Sequence, residues 1–145
     1  MEKAAFALKN YIFKKVNIDF SSIEEKSNFL IRFNPSGIFN SNTNTYSLTI
    51  IFSALDEKNE NLELINIECE ATFVFSKEAT LETIPEYFYA NSIAIIFPYV
   101  RAFVSTVTLQ ANISPVVLPT LNLTSLKEKL KEHGIKKSDL TRQEF

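Results

Sequence analysis

The stretch Leu64-Ile65-Asn66-Ile67-Glu68-Cys69-Glu70-Ala71-Thr72-Phe73-Val74-Phe75 decides the fold. Ile65, Ile67, Cys69, Ala71, Phe73 and Phe75 alternate with Asn66, Glu68, Glu70 and Thr72. Successive side chains of a strand point to opposite faces, so this run predicts a strand with one dry and one wet face. Upstream, Thr45–Leu55 sets Tyr46, Leu48, Ile50, Phe52 and Ala54 against Thr45, Ser47, Thr49 and Ser53. Asp56–Asn61 between the two runs reads as a hairpin loop. Asn28–Phe33 sets Phe29, Ile31 and Phe33 against Arg32, and Tyr11–Phe20 sets Ile12, Val16, Ile18 and Phe20 against Lys15, Asn17 and Asp19. Asn34–Asn44, with Pro35, Gly37 and several asparagines, reads as a longer connection. Four runs of this kind predict one antiparallel sheet with a polar face.

Downstream the pattern changes. The forty residues from Tyr87 to Leu126 carry a single charge, Arg101. Between Ile84 and Ile113 the Ile, Val and Thr content favours strand by propensity, but the length without a turn signal favours helix. Ile93, Phe97, Val100, Val104 and Val107 recur at three- and four-residue spacing, which predicts a helix from about Ser92, with Pro98 at its start or a kink. A membrane span is disfavoured, because Arg101 would sit near the bilayer centre at about 2.5–3.5 kcal/mol. The segment reads instead as a helix buried on most sides, in an oligomer if not within one chain. After Pro115 and Pro119, Ser125 with Glu128 matches a capping box, Leu126 and Leu130 share a face, and Gly134 matches a glycine stop. The class is therefore α+β: a four-stranded antiparallel sheet with a long helix and a short C-terminal helix. One domain is expected over 1–135, with a polar tail over 136–145.

Composition narrows the function more by exclusion than by assignment. Fifteen basic and seventeen acidic residues leave no basic footprint for nucleic acid. Two glycines exclude a phosphate-cradling loop, and one histidine with one cysteine exclude the usual zinc clusters; no metal and no cofactor are expected. The lone Cys69 fits a reducing compartment, and Met1–Phe6 opens no apolar leader, so a cytoplasmic location is expected. From Asp56 to Glu86 nine acids face only Lys58 and Lys77. Thirteen phenylalanines say that the chain invests in apolar surface.

Few residues could carry chemistry. His133 reads as a solvated residue at a helix end, and Cys69 falls on the dry face of its strand, where no base is apparent. Glu68 and Glu70, two apart, project from the polar face; they suit a solvated face, an acid–base or cation site, or docking of a basic partner. Phe20, Ile23, Phe29 and Phe33 border the first connection, and Leu121, Leu123, Leu126 and Leu130 cluster at the second helix. Both sets read either as core or as the lining of an open groove for polypeptide.

The element Phe97-Pro98-Tyr99-Val100-Arg101, preceded by Asn91 and Ile95, resembles the protein-export chaperone family SecB. Pro115-Val116-Val117-Leu118-Pro119 followed by Leu121-Asn122-Leu123 is similar to the segment joining that family's two helices, and the strand order also matches. The resemblance implies an ATP-independent, non-enzymatic holdase, both helices on one face of the sheet, and assembly as a dimer of dimers. It implies client contacts at Phe20, Ile23, Phe29, Leu121, Leu123, Leu126 and Leu130. It places Tyr99, Arg101 and Val104 at or near the assembly interface. Clients would be unfolded preproteins, passed to the SecA motor. Of that motor's acidic docking positions only Glu68 matches, with Glu70 beside it; Asn17 and Ser21 stand where acids are expected. A relative dedicated to one labile partner, such as an antitoxin, is the nearest rival. A small enzyme or ligand-binding domain using Glu68 and Glu70 in a closed pocket is the third reading.

Overall fold

A computed structural model describes residues 5–23, 28–113, 118, 122–132 and 134–136. Four long strands, β1 (Phe6–Ile18), β2 (Phe29–Asn40), β3 (Thr45–Asp56) and β4 (Asn59–Phe75), precede helices α1 (Glu86–Gln110) and α2 (Leu123–Glu132), and a short β5 (Gly134–Lys136) follows. The sheet order is β1-β4-β3-β2-β5. The four long strands pair antiparallel as expected, and β5 adds an unexpected fifth strand, parallel to β2. Lys136 thus pairs with Phe39; residues 137–145 lie outside the described residues.

The alternation holds over Thr45–Phe52 of β3 and Ile65–Phe75 of β4, and breaks near the hairpin, where Ser53, Leu55 and Leu64 are buried as well. Tyr46, Leu48, Phe52, Ile65, Ile67, Cys69, Ala71 and Phe73 are all buried beneath the helices. The hairpin is tighter than expected, because β4 begins at Asn59; Asp56 Oδ1 accepts the Lys58 amide at 2.9 Å and closes the turn.

Two expectations for the edge strands are corrected. In β1 the register slips after Leu8 and after Phe13. Directly opposed residues share a face, so Tyr11 opposite Ala71 and Phe13 opposite Cys69 face the core, while Ile12 opposite Glu70 faces outward and is 54% exposed. Each extra residue of a bulge inverts the parity that follows it. The second correction is β2, which continues through Pro35 and Gly37 to Asn40. Pro35 has no N–H for the ladder, so it is tolerated where its nitrogen faces the sheet edge. Gly37 lets the Tyr46 ring lie against the strand. The turn is confined to residues 41–44, where Asn44 adopts φ 53°, a conformation asparagine accepts readily. The Asn44 amide then donates to the Phe75 and Lys77 carbonyls, and its Oδ1 accepts the Ala79 amide at 2.9 Å, fixing the chain that leads into α1.

Helix α1 starts six residues before the expected Ser92, directly after Pro85, and Pro98 lies inside it. Phe88, Ser92, Ile96, Val100, Val104 and Thr108 form a buried stripe at four-residue steps. Phe88 is the hub of the core, with ring centroids of Phe6, Tyr46, Phe75 and Phe73 at 4.8, 4.9, 5.1 and 5.6 Å. The buried hydroxyls of Ser92 and Thr108 donate to helix carbonyls one turn back. The remaining side of α1 is apolar yet open: Tyr87, Ile95, Tyr99 and Leu109 are 38–63% exposed. Helix α1 is long and apolar enough to cross a membrane by length and composition alone, with 33% of that window buried inside the fold.

Candidate functional site

Strand β2 and helix α2 build a groove. Among the described residues β5 pairs with β2 only at Gly37–Phe39, which leaves Phe29–Pro35 with no strand on the side away from β3. With the Pro35 nitrogen facing that edge, alternation directs the N–H and C=O groups of Phe29, Ile31 and Phe33 the same way. Above the open edge lies α2, whose first turn is capped by Asn122: its Oδ1 accepts the Ser125 amide at 3.1 Å. The helix therefore begins at Leu123, ahead of the expected cap Ser125. Between the two elements runs a groove of about 370 Å³ lined by Ile31, Arg32, Phe33, Asn34, Asn122, Ser125, Leu126 and Lys129. Its mix of apolar side chains and free backbone suits an extended polypeptide.

Behind this groove is a second, nearly closed space of about 10 Å³, lined only by apolar residues: Phe33, Pro35, Ile50, Ile93, Phe97, Val100 and Leu126. Phe33 and Leu126 line both spaces and form the partition between them.

The residues expected to contact clients separate into two groups. Leu126 and Leu130 are buried under α2, at 8% and 0% exposure, and Leu123 is half-buried beside them. Phe20, Ile23 and Phe29 are half-buried on or beside the connection from β1 to β2. In the sheet, β4 and β3 stand between the two strands that this connection joins. Leu121 and His133 lie outside the described residues. The sequence reading missed Asn34, Pro35 and Lys129 as lining residues; a proline in an otherwise strand-like run was the available signal.

Helix α2 is tied to the start of α1 by charge. Lys131 Nζ donates to both Glu86 carboxylate oxygens at 3.0 and 2.9 Å, and Lys127 Nζ lies 3.4 Å from Oε1. The Lys131 hydrogen bond is the main reason the Glu86 carboxyl sits below its ordinary range. Lys131 also lies 5.8 Å over the Tyr89 ring.

Glu68 and Glu70 share the outer face of the sheet, as their spacing requires. Each has a lysine from β1: Lys15 at 3.6 Å and Lys14 at 2.7 Å, respectively. Neither lines the crevice or the groove. Cys69 is buried in the core, and burial pushes its thiol up to about 11. Among the described residues no group of three His, Cys, Asp or Glu could hold a metal ion.

Of the residues assigned to assembly, Tyr99 is 41% exposed and packs its ring 4.5 Å from Tyr11, and the Arg101 guanidinium lies 4.7 Å over Phe97. Val104 is corrected: at 1% exposure it belongs to the sheet-facing stripe and presents nothing to a partner. A hollow of about 570 Å³ lies on the open side of α1, lined by Ala5, Phe6, Tyr87, Asn91, Ala94 and Ile95.

No family model matches the chain. It is 30% identical over 148 residues to the uncharacterized protein MJ0357 of Methanocaldococcus jannaschii, covering 98% of this chain and 94% of that protein. Among solved structures it is similar to the SecB-like chaperone Rv1957 of Mycobacterium tuberculosis, in complex with a ChAD peptide from the HigA1 antitoxin. The TM-score is 0.66 over 81% of this chain and 88% of that one, at 16% identity. The fold is SecB-like.

Proposed function

We propose, for a chain that belongs to the same family as MJ0357 and is built on the SecB-like fold, the role of an ATP-independent holdase. An unfolded segment lies along the open edge of β2 as an added strand, and its apolar side chains fall into the groove beneath α2. The single observation that carries this reading is the free edge at Phe29–Pro35 opening into that groove. Main-chain hydrogen bonds at such an edge give affinity without reading sequence, and the pockets favour alternating apolar residues. Phe29 and Leu123 extend the contact along the groove. Phe20 and Ile23 extend it along the connection from β1 to β2, and Leu126 and Leu130 join it when α2 moves. Capture of this kind needs no catalytic group and no nucleotide.

A second reading, a chaperone dedicated to one labile partner, is favoured by the antitoxin peptide held by the M. tuberculosis protein. Both readings share the groove. They are separated by the ratio of affinities for one cognate segment and for generic unfolded chains.

The remaining parts of the proposal concern assembly and delivery. The open apolar side of α1, with Tyr99 and Arg101, is the proposed surface for a dimer of dimers, which would cover Tyr87, Ile95 and Leu109. Glu68 and Glu70 are the proposed docking carboxylates for a SecA-like motor in the cytoplasm. A basic partner there must displace Lys14 and Lys15, so this docking is weak and salt-sensitive. Hydrogen exchange with and without a reduced, carboxymethylated protein tests the groove. Protection gained at residues 29–35 and 123–130 supports strand addition, and protection confined to the outer sheet face contradicts it.

A further inference from the structure

We propose that the groove between β2 and α2 selects acidic segments: extended stretches in which apolar residues alternate with Asp or Glu. The inference rests on the polypeptide-binding reading of the groove and adds which polypeptides it prefers. What carries it is the charge of the lining. Among the described residues the groove is bounded by two cations, Arg32 and Lys129, with the neutral Asn34, Asn122 and Ser125, and no carboxylate lines it.

The two cations flank the place that an added strand would take. Ile31 and Phe33 oppose the buried Ala54 and Phe52, so they face the helices, and Arg32 between them faces the outer side of the sheet. A strand laid on this edge keeps the same alternation, which puts every second side chain on the Arg32 face, beside its guanidinium. Lys129 comes from α2, on the helix side, and its flexible stem lets the ammonium reach past the apolar lining. Neither charge is firmly held within the fold. Lys129 is exposed and makes no ion pair among the described residues. Arg32 pairs with Glu60 at 3.6 Å, with side chains 50% and 63% exposed, and so loose a surface pair yields readily to a better one. The Asn122 oxygen is taken by the Ser125 amide, which leaves its NH2 as a further donor. The whole chain carries −2, which favours basic segments at long range. Screening limits that field to about 8 Å at physiological ionic strength, whereas a bound carboxylate sits within about 4 Å of its cation. The local charge therefore sets the preference.

The test measures binding of three labelled, end-capped peptides to the full chain. All carry the same apolar residues at alternate positions, and the residues between them are Glu, Ser or Lys. At about 50 mM sodium chloride the Glu peptide should bind about fivefold tighter than the Ser peptide, and the Lys peptide weaker than either. At about 500 mM the three should converge. Arg32→Gln combined with Lys129→Gln should bring the Glu-to-Ser affinity ratio close to unity, while Glu60→Gln, which frees Arg32, should widen it. Lys9→Gln combined with Lys77→Gln removes the same charge from exposed positions away from the groove and should keep the wild-type ratio. A wild type that binds all three peptides alike, or prefers Lys, overturns the acidic selection and leaves the polypeptide groove standing. A Glu preference that survives loss of Arg32 and Lys129, or that falls equally on loss of Lys9 and Lys77, overturns it as well. Binding of none of the three overturns the polypeptide reading, and this inference with it.

Discussion

The phenol of Tyr46 lies over Gly37, in the space that a β-carbon on residue 37 would occupy. The ring is fully buried, and its hydroxyl has no hydrogen-bond partner among the described residues. Burial also raises its pKa well above the ordinary tyrosine range, so the group stays neutral. Gly37→Ala forces Tyr46 or β2 to move, and overpacking of this kind costs about 1–3 kcal/mol. Tyr46→Phe removes an unpaired polar atom and is expected to raise stability by about 1 kcal/mol. Denaturant midpoints of both variants check the pair, and a destabilised Tyr46→Phe would mean that the hydroxyl has a partner.

Phe88 joins α1 to three strands through four ring contacts. Phe88→Ala should cost about 3–5 kcal/mol in equilibrium unfolding. Tyr87→Ala, on the open side of the same helix, should leave the isolated chain's stability nearly unchanged while lowering the mass read by light scattering. A Tyr87→Ala chain with wild-type mass contradicts the assembly surface.

Phe33 borders both the groove and the crevice. Replacing it by serine should lower affinity for unfolded chains about tenfold, the effect of losing roughly 1.4 kcal/mol of apolar contact. Circular dichroism should remain that of a folded chain. Equal affinity in Phe33→Ser and wild type would move the binding site elsewhere.

The Glu86 carboxyl is lowered from 4.5, first by the Lys131 hydrogen bond and then by the charges of Lys131 and Lys127. A group lowered on folding contributes stability above its unfolded value and loses it as pH falls through the folded one. Methyl resonances of Leu126 and Leu130 should therefore be constant from neutrality down to about pH 4.5, then shift as Glu86 takes its proton. Tyr89 and Glu128 also face Lys131, so Glu86→Gln is the needed comparison: it should abolish the step, and a persisting step would assign it to another carboxyl.

Strands β3 and β4 were legible because apolar residues alternate with Ser, Thr, Asn and Glu over most of their length, with Ile51, Leu55, Leu64 and Val74 as apolar residues on the wet phase. β1 was misread at Ile12 because a bulge inverts parity without leaving a local signature, although Tyr11 and Phe13 sat on the other phase. The far half of β2 was hidden by Pro35 and Gly37, which are turn formers in isolation and edge-strand residues here. For α1 the two-sided apolar character was visible, but which side meets the sheet was not, and Val104 was placed on the wrong one. The pairing of Glu68 and Glu70 with β1 lysines and the Glu86 clamp depend on long-range register, which no local pattern encodes. The groove residues were half legible: leucines at helical spacing marked α2, while the free edge of β2 emerged only from the strand order.

Aggregation of a chemically unfolded, reduced protein, followed with and without this chain in the absence of nucleotide, tests the holdase most directly. Suppression near stoichiometric ratios, weakened by Phe33→Ser, is the result predicted here. Undiminished aggregation in the presence of the folded chain would contradict it.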